Sequence, residues 1–142
     1  MRKIGIVYWS GTGNTELMAQ SILEGVKDNQ SDVTLYQATE FTPELMNRFD
    51  AIGFGCPAMG SEELEASEFA PMFNRCKYKL ANKKIVLFGS WGWGDGEWMS
   101  NWVTTCQNEK AILLAEPIIC NSEPDSETLD ACVALGKTLA TC

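Results

Sequence analysis

Residues 4–15 read Ile-Gly-Ile-Val-Tyr-Trp-Ser-Gly-Thr-Gly-Asn-Thr. An apolar run stops at Ser10-Gly11 and gives way to a polar, glycine-containing turn. The run Ile4–Trp9 has the length and composition of a strand buried on both faces. Beyond the turn, Leu17, Met18, Ile22 and Val26 fall on one face of a helix spanning Asn14 to Lys27. A strand, a tight loop and an amphipathic helix, in that order, form the opening unit of a parallel α/β sheet.

The unit recurs along the chain. Val33–Tyr36 predicts a shorter, more polar strand nearer an edge. Thr42-Pro43 predicts an N-cap with proline at the first helical position, hence a short helix. Ala51–Cys56 and Ile85–Gly89 predict buried strands. Phe69, Met72, Phe73 and Cys76 mark one helix, and Met99, Trp102, Val103 and Cys106 another. Ala111–Cys120 predicts a strand that Pro117 breaks and so confines to an edge. Leu129, Cys132, Val133 and Gly136 mark the last helix. Five β-α units imply a doubly wound parallel sheet of five strands, covered by helices on both faces. The chain has 142 residues, which predicts one domain over 1–142.

Composition narrows the function. Lys and Arg total 11 and Asp and Glu total 19, a net charge of −8. Such a chain is repelled by nucleic acid and by anionic membranes, and suits basic partners or simple solubility. There is no histidine, and the six cysteines form no CxxC pair. A metal site and a His-based triad are therefore not expected. No stretch is apolar enough to span a membrane, and the first apolar run is too short for a signal peptide. Free thiols in a reducing cytoplasm are the expectation.

Open parallel sheets bind ligands outside the carboxyl ends of their strands. Four loops fall there: Ser10–Thr15, Pro57–Glu63, Ser90–Glu97 and Asn121–Glu123. Ser10, Gly11, Thr12, Gly13, Asn14 and Thr15 offer hydroxyl and backbone N–H donors at a helix N-terminus, without Lys or Arg. That set holds an anion by hydrogen bonds alone. It is neither a Walker loop nor the dinucleotide GxGxxG, because Glu16 stands where the last glycine belongs. The alternative is an ordinary capping turn. Ala58, Met59, Gly60 and Glu62 follow the Ala51–Cys56 strand, where Met59 offers a soft apolar cover and Glu62 an acceptor for a ring N–H. Ser90, Trp91, Gly92, Trp93, Gly94 and Asp95 follow Ile85–Gly89. Trp93, flanked by glycines, is expected to stack on a flat ligand, whereas Trp91 packs on the nearest helix.

Three stretches together resemble the short-chain, clostridial-type flavodoxins: Ser-Gly-Thr-Gly-Asn-Thr at 10–15, Met-Gly-Ser-Glu at 59–62, and Gly-Ser-Trp-Gly-Trp-Gly-Asp-Gly-Glu-Trp-Met at 89–99. Asn-Ser-Glu-Pro at 121–124 is a weaker match. The resemblance covers essentially the whole chain. It implies the flavodoxin-like strand order 2-1-3-4-5 and noncovalently bound FMN with its phosphate in the first loop. It implies that Met59 and Trp93 sandwich the isoalloxazine and that Glu62 pairs with flavin N3. It also implies that Gly60 turns its carbonyl toward N5 on reduction. The implied function is low-potential one-electron transport by a cytoplasmic monomer, not catalysis. The implied partners are a reductase-type donor and acceptor enzymes with basic docking surfaces. Ser61 and Trp91 depart from residues common in the family, Asp and Tyr. Glu62, Glu63, Glu65, Asp95 and Glu97 lie in or beside the ring-covering loops, with Glu65 expected to be a solvated helix-start charge.

Other doubly wound proteins fit less well. A receiver domain needs an acidic cluster after the first strand, where this chain has Trp9-Ser10. A low-molecular-weight tyrosine phosphatase needs an arginine closing its cysteine loop, and Cys56 has none before Arg75. A quinone reductase or maturation flavoprotein of the same fold needs room for substrate over the ring.

Overall fold

The computed structural model describes residues 2–142. Its elements are β1 (Lys3–Tyr8), α1 (Asn14–Lys27), β2 (Asp32–Gln37), β3 (Ala51–Gly55), α2 (Phe69–Cys76), β4 (Lys84–Trp91), α3 (Glu97–Asn108), β5 (Ile112–Leu113), β6 (Ile118–Asn121) and α4 (Ser126–Thr141). The strands pair parallel in the order β2-β1-β3-β4-β5, and β6 also pairs with β4. The doubly wound flavodoxin-like topology is thus present, with β2 at an edge as its polarity predicts.

Alternation along the strands explains the two covered faces. Ile4, Ile6 and Tyr8 of β1, with Val86 and Phe88 of β4, pack against Met18, Ile22 and Val26 of α1 and Cys132, Leu135 and Leu139 of α4. Val7, Ile52, Phe54, Ile85 and Leu87 point the other way. There they meet Phe69, Phe73 and Trp102, whose rings contact one another edge-on or stacked. Among the described residues no helix is long and apolar enough to cross a membrane.

Three boundaries differ from the sequence reading. Ala111–Cys120 is not one strand: Pro117 lies between β5 and β6, which pair with opposite ends of β4. A proline cannot donate to a ladder, so the edge is interrupted where it sits. Pro43–Arg48 is a 3-10 turn, and the Thr42 side chain makes no cap bond to it. β4 continues past Gly89 through Ser90 and Trp91, because β6 supplies partners for both.

α1 and α4 approach closely through two glycines. A Cβ on Gly25 would lie 2.0 Å from the Val133 carbonyl oxygen, and one on Gly136 would lie 2.1 Å from that of Ile22. Alanine normally gains up to about 1 kcal/mol over glycine inside a helix. Here backbone atoms block the added methyl, and overpacking costs about 1–3 kcal/mol. Gly136→Ala should therefore lower apoprotein stability in urea denaturation. A more stable variant would show that the two helices separate freely.

Candidate ligand cleft

The loop after β1 is ordered by its own side chains. Ser10 Oγ accepts from the Gly13 N–H at 3.1 Å and the Glu16 N–H at 3.3 Å. With both lone pairs engaged, the Ser10 hydroxyl is left as a donor. Gly13 caps α1 at φ 99°, a conformation that favours glycine. Among the described residues, the N–H groups of Thr12, Asn14 and Thr15 find no protein acceptor. Unpaired donors at the positive end of a helix are the chemistry an anion needs. Thr15 and Ser90 are buried, and their hydroxyls lie 3.0 Å apart, joining this loop to β4.

The loop after β3 is a tight hairpin. Met59 and Glu63 exchange both backbone hydrogen bonds, at 2.8 and 2.9 Å. The turn places Gly60 at φ 56° and Glu62 at φ 59°. For Glu62 this is a sparsely populated conformation held by its surroundings. Its Oε2 accepts from the Glu97 N–H at 2.5 Å, tying the hairpin to the first turn of α3. Its Oε1 is buried without a partner and lies against Gly94, where a Cβ would come within 2.1 Å. An unpartnered buried carboxylate oxygen is costly unless a ligand N–H meets it. Glu62, Asp95 and Glu97 bring carboxylate oxygens within 4.8 Å of one another, a concentration of negative charge.

Glu65 is not a solvated charge. It is 6% exposed and accepts from the N–H groups of Ser67, Glu68 and Phe69 at 2.7–2.8 Å and from the Ser67 hydroxyl. It thereby caps α2 from four residues before its first residue, an acceptor role that only its burial reveals. Burial alone would raise its pKa, but the hydrogen bonds from the Ser67 hydroxyl and from the backbone N–H groups of Phe69, Ser67 and Glu68 outweigh this and hold it below 4.5.

These loops line one cleft of about 280 Å³, at the lower end of the size of small-molecule sites. Gly11, Thr12, Asn14 and Thr15 lie on one side, and Ala58, Met59, Ser90, Trp91 and Gly92 on the others. Trp9, Pro57 and Ser122 also line it; the sequence singled out none of them as a site residue, although Pro57 and Ser122 fall in loops it placed at the ligand edge. Trp9 closes the first strand and carried no loop signal, whereas Ser122 belongs to the weaker stretch at 121–124. Ser10, Gly13, Gly60, Glu62, Trp93, Gly94 and Asp95 sit in the same loops without lining the cleft. Trp93 is 69% exposed and Met59 41%, so two large apolar side chains at its rim are uncovered. The donor set, the unpartnered carboxylate oxygen and the uncovered apolar surfaces fit a ligand with a terminal anion and a flat ring carrying an N–H.

Comparison with known proteins points the same way. The flavodoxin family profile matches residues 6–136. The chain is 42% identical to a flavodoxin of Clostridium beijerinckii over 136 residues, 95% of this chain and 97% of that protein. It is 43% identical to a flavodoxin of Megasphaera elsdenii over 137 residues, 96% and 98% of the two chains. The solution structure of two-electron reduced Megasphaera elsdenii flavodoxin superposes with a TM-score of 0.89 at 42% identity, covering 98% of this chain and 99% of that one. A flavodoxin from the domain Archaea shares the fold, with a TM-score of 0.84 at 23% identity.

The lowered Glu65 pKa sets a pH dependence. Its folded pKa lies below the unfolded one, so the stabilisation is fully present above about pH 4.5 and is lost as pH falls through the folded value. Glu65→Gln should cost about 1–2 kcal/mol at neutral pH, as loss of a helix cap does. The gap between variant and parent urea midpoints should close on acidification. A gap independent of pH would assign the effect to shape alone.

Proposed function

The chain belongs to the flavodoxin family, short-chain type, and from that premise we propose that it binds FMN noncovalently and works as a low-potential one-electron carrier. Membership of the family supports a flavin-binding electron carrier in general. The observation that carries the finer reading is the uncharged anion loop at one end of the cleft, whose free N–H groups suit a terminal phosphate.

Bound FMN would supply the one-electron chemistry. The residues of this chain supply the rest. Ser10, Gly11, Thr12, Asn14 and Thr15 would hold the phosphate with neutral donors, with Gly13 shaping the turn beneath it, which leaves its charge balanced only by dipoles and the helix end. Glu62 Oε1 would accept from the ring N–H, replacing an unmet hydrogen bond with a charge-assisted one. Met59 and Trp93 would cover the ring faces, burying side chains that are otherwise wet. Gly60, at φ 56° with no atom within 4 Å of an added Cβ, leaves its peptide free to turn toward the ring. Ala58, Ser90, Trp91, Gly92, Gly94 and Asp95 would complete the enclosure.

The rim favours keeping the ring uncharged. Residues 9–15, 57–68 and 90–97 contain no Lys or Arg. At ~10 Å and an effective dielectric of ~20, each carboxylate would disfavour an added negative charge by roughly 1.7 kcal/mol, less where water screens it. The same rim suits docking onto basic surfaces of a reductase-type donor and of acceptor enzymes. Five of the six thiols are buried and unpaired. Burial raises Cys76 to about 11 and Cys106 and Cys132 to about 12, Cys76 partly offset by nearby Arg75. Free, unreactive thiols suit a reducing cytoplasm, and we place the carrier there as a monomer.

Apoprotein should bind FMN much more tightly than riboflavin, and bound FMN should be nearly non-fluorescent. Trp93→Ala should weaken binding by about 1–3 kcal/mol, by analogy with base stacking on aromatics, and restore some emission. Equal affinities for the two flavins would remove the phosphate from the account. If Trp91→Ala reproduces both effects and Trp93→Ala neither, Trp91 is the stacking indole.

Neutralising Glu63→Gln, Asp95→Asn and Glu97→Gln together should raise the potential of the second electron, measured by reductive titration. Added salt should shrink the difference. A potential unmoved by the triple change would assign the low value to ring packing.

A further inference from the structure

Trp9 stands between two open spaces. On one side it lines the ligand cleft, and on the other a depression of about 100 Å³ bordered by Glu16, Gln37, Thr39 and Glu68. The ring is half-buried against the core, and a polar contact at its edge fixes its tilt. Its Nε1–H donates to Glu68 Oε1 at 2.7 Å. Glu68 is itself placed, because its backbone N–H donates to buried Glu65 at 2.7 Å. The far edge of the indole lies beside Gly11 of the anion loop, in the space a side chain there would occupy. A Cβ on Gly11 would lie 3.0 Å from Trp9 Cη2 and 3.2 Å from Cζ3.

A chain of contacts therefore runs from the capped start of α2 through Glu68 and Trp9 to Gly11. We propose that Glu68 is a positioning residue for the phosphate: it pins the Trp9 indole as a strut beneath Gly11 and so sets the loop's N–H donors at the spacing the anion requires. This rests on the FMN reading above. Glu68 does not line the cleft, so its action passes through Trp9. Hydrogen bonds to charged acceptors are the stronger kind, and small misplacements of donors weaken anion binding steeply because hydrogen bonds are directional. The part of the ligand affected most is the phosphate, since the indole edge lies beside Gly11 of the first loop.

The test compares FMN and riboflavin affinities in three proteins: wild type, Glu68→Leu and Glu68→Gln. Glu68→Leu removes the acceptor and should raise the FMN dissociation constant by about tenfold, as loss of a charge-assisted hydrogen bond would, while riboflavin changes little. Glu68→Gln keeps an acceptor oxygen and should restore most of the discrimination. Trp9→Phe keeps a ring and removes the donor, so it should reproduce Glu68→Leu even if that variant folds poorly. Combining Trp9→Phe with Glu68→Leu should add little to either alone. The Trp9 indole N–H resonance of the apoprotein should move on Glu68→Leu and return with Glu68→Gln. If wild type prefers FMN yet Glu68→Leu and Trp9→Phe leave the FMN-to-riboflavin ratio unchanged, the strut is overturned and the FMN reading stands. Equal weakening of both ligands would also overturn it, showing a general structural role. Wild type that does not prefer FMN would overturn the reading and the strut together.

Discussion

The parallel pairing of β1 with both β2 and β3 governs this structure. The chain leaves β1 on one face of the sheet, through α1 onto Ile4, Ile6 and Tyr8. It returns to β3 across the opposite face, where Ala38, Phe41, Met46 and Phe49 cover Val7, Ile52 and Phe54. Because the two connections lie on opposite faces, nothing crosses above the carboxyl ends of β1 and β3. The cleft is what remains when both faces have been buried.

Close backbone packing then gives the cleft walls fixed positions. Cys56 donates its N–H to the Phe88 carbonyl at 3.1 Å, and its own carbonyl accepts from Trp98 Nε1 at 3.1 Å. Gly89 permits this approach, since a Cβ there would stand 2.2 Å from the Cys56 oxygen. The second and third loops are thus anchored to each other at their roots by β3, β4 and α3. Glu62 joins them again at their tips through Glu97. Anchored roots and a hydrogen-bonded clasp leave Gly60, at φ 56° between Met59 and Glu62, as the point of the hairpin free to turn.

Much of this was legible in the sequence because the strands are simple. Runs such as Ile85–Gly89 are apolar throughout, and only a strand covered on both faces tolerates that. The anion loop was legible because its donors are contiguous. The rest depended on burial and on contacts that the sequence pattern does not display. Glu65 reads as a charge near a helix start, and only the folded chain shows it buried beneath Ser67, Glu68 and Phe69. Trp9 reads as the last residue of a strand, and its bond to Glu68 spans 59 positions. The division of Ala111–Cys120 into β5 and β6 was signalled by Pro117, but which segment would pair with which end of β4 was not.

The most direct test of the account follows backbone amide resonances of the apoprotein as FMN is added. The account predicts saturation at one equivalent. The largest shifts should fall at Thr12, Asn14 and Thr15, with a second group at Met59, Gly60 and Trp93. Shifts centred instead on the separate groove between α2 and α3, lined by Phe73, Lys77 and Trp102, would contradict it, as would no saturable shift at all.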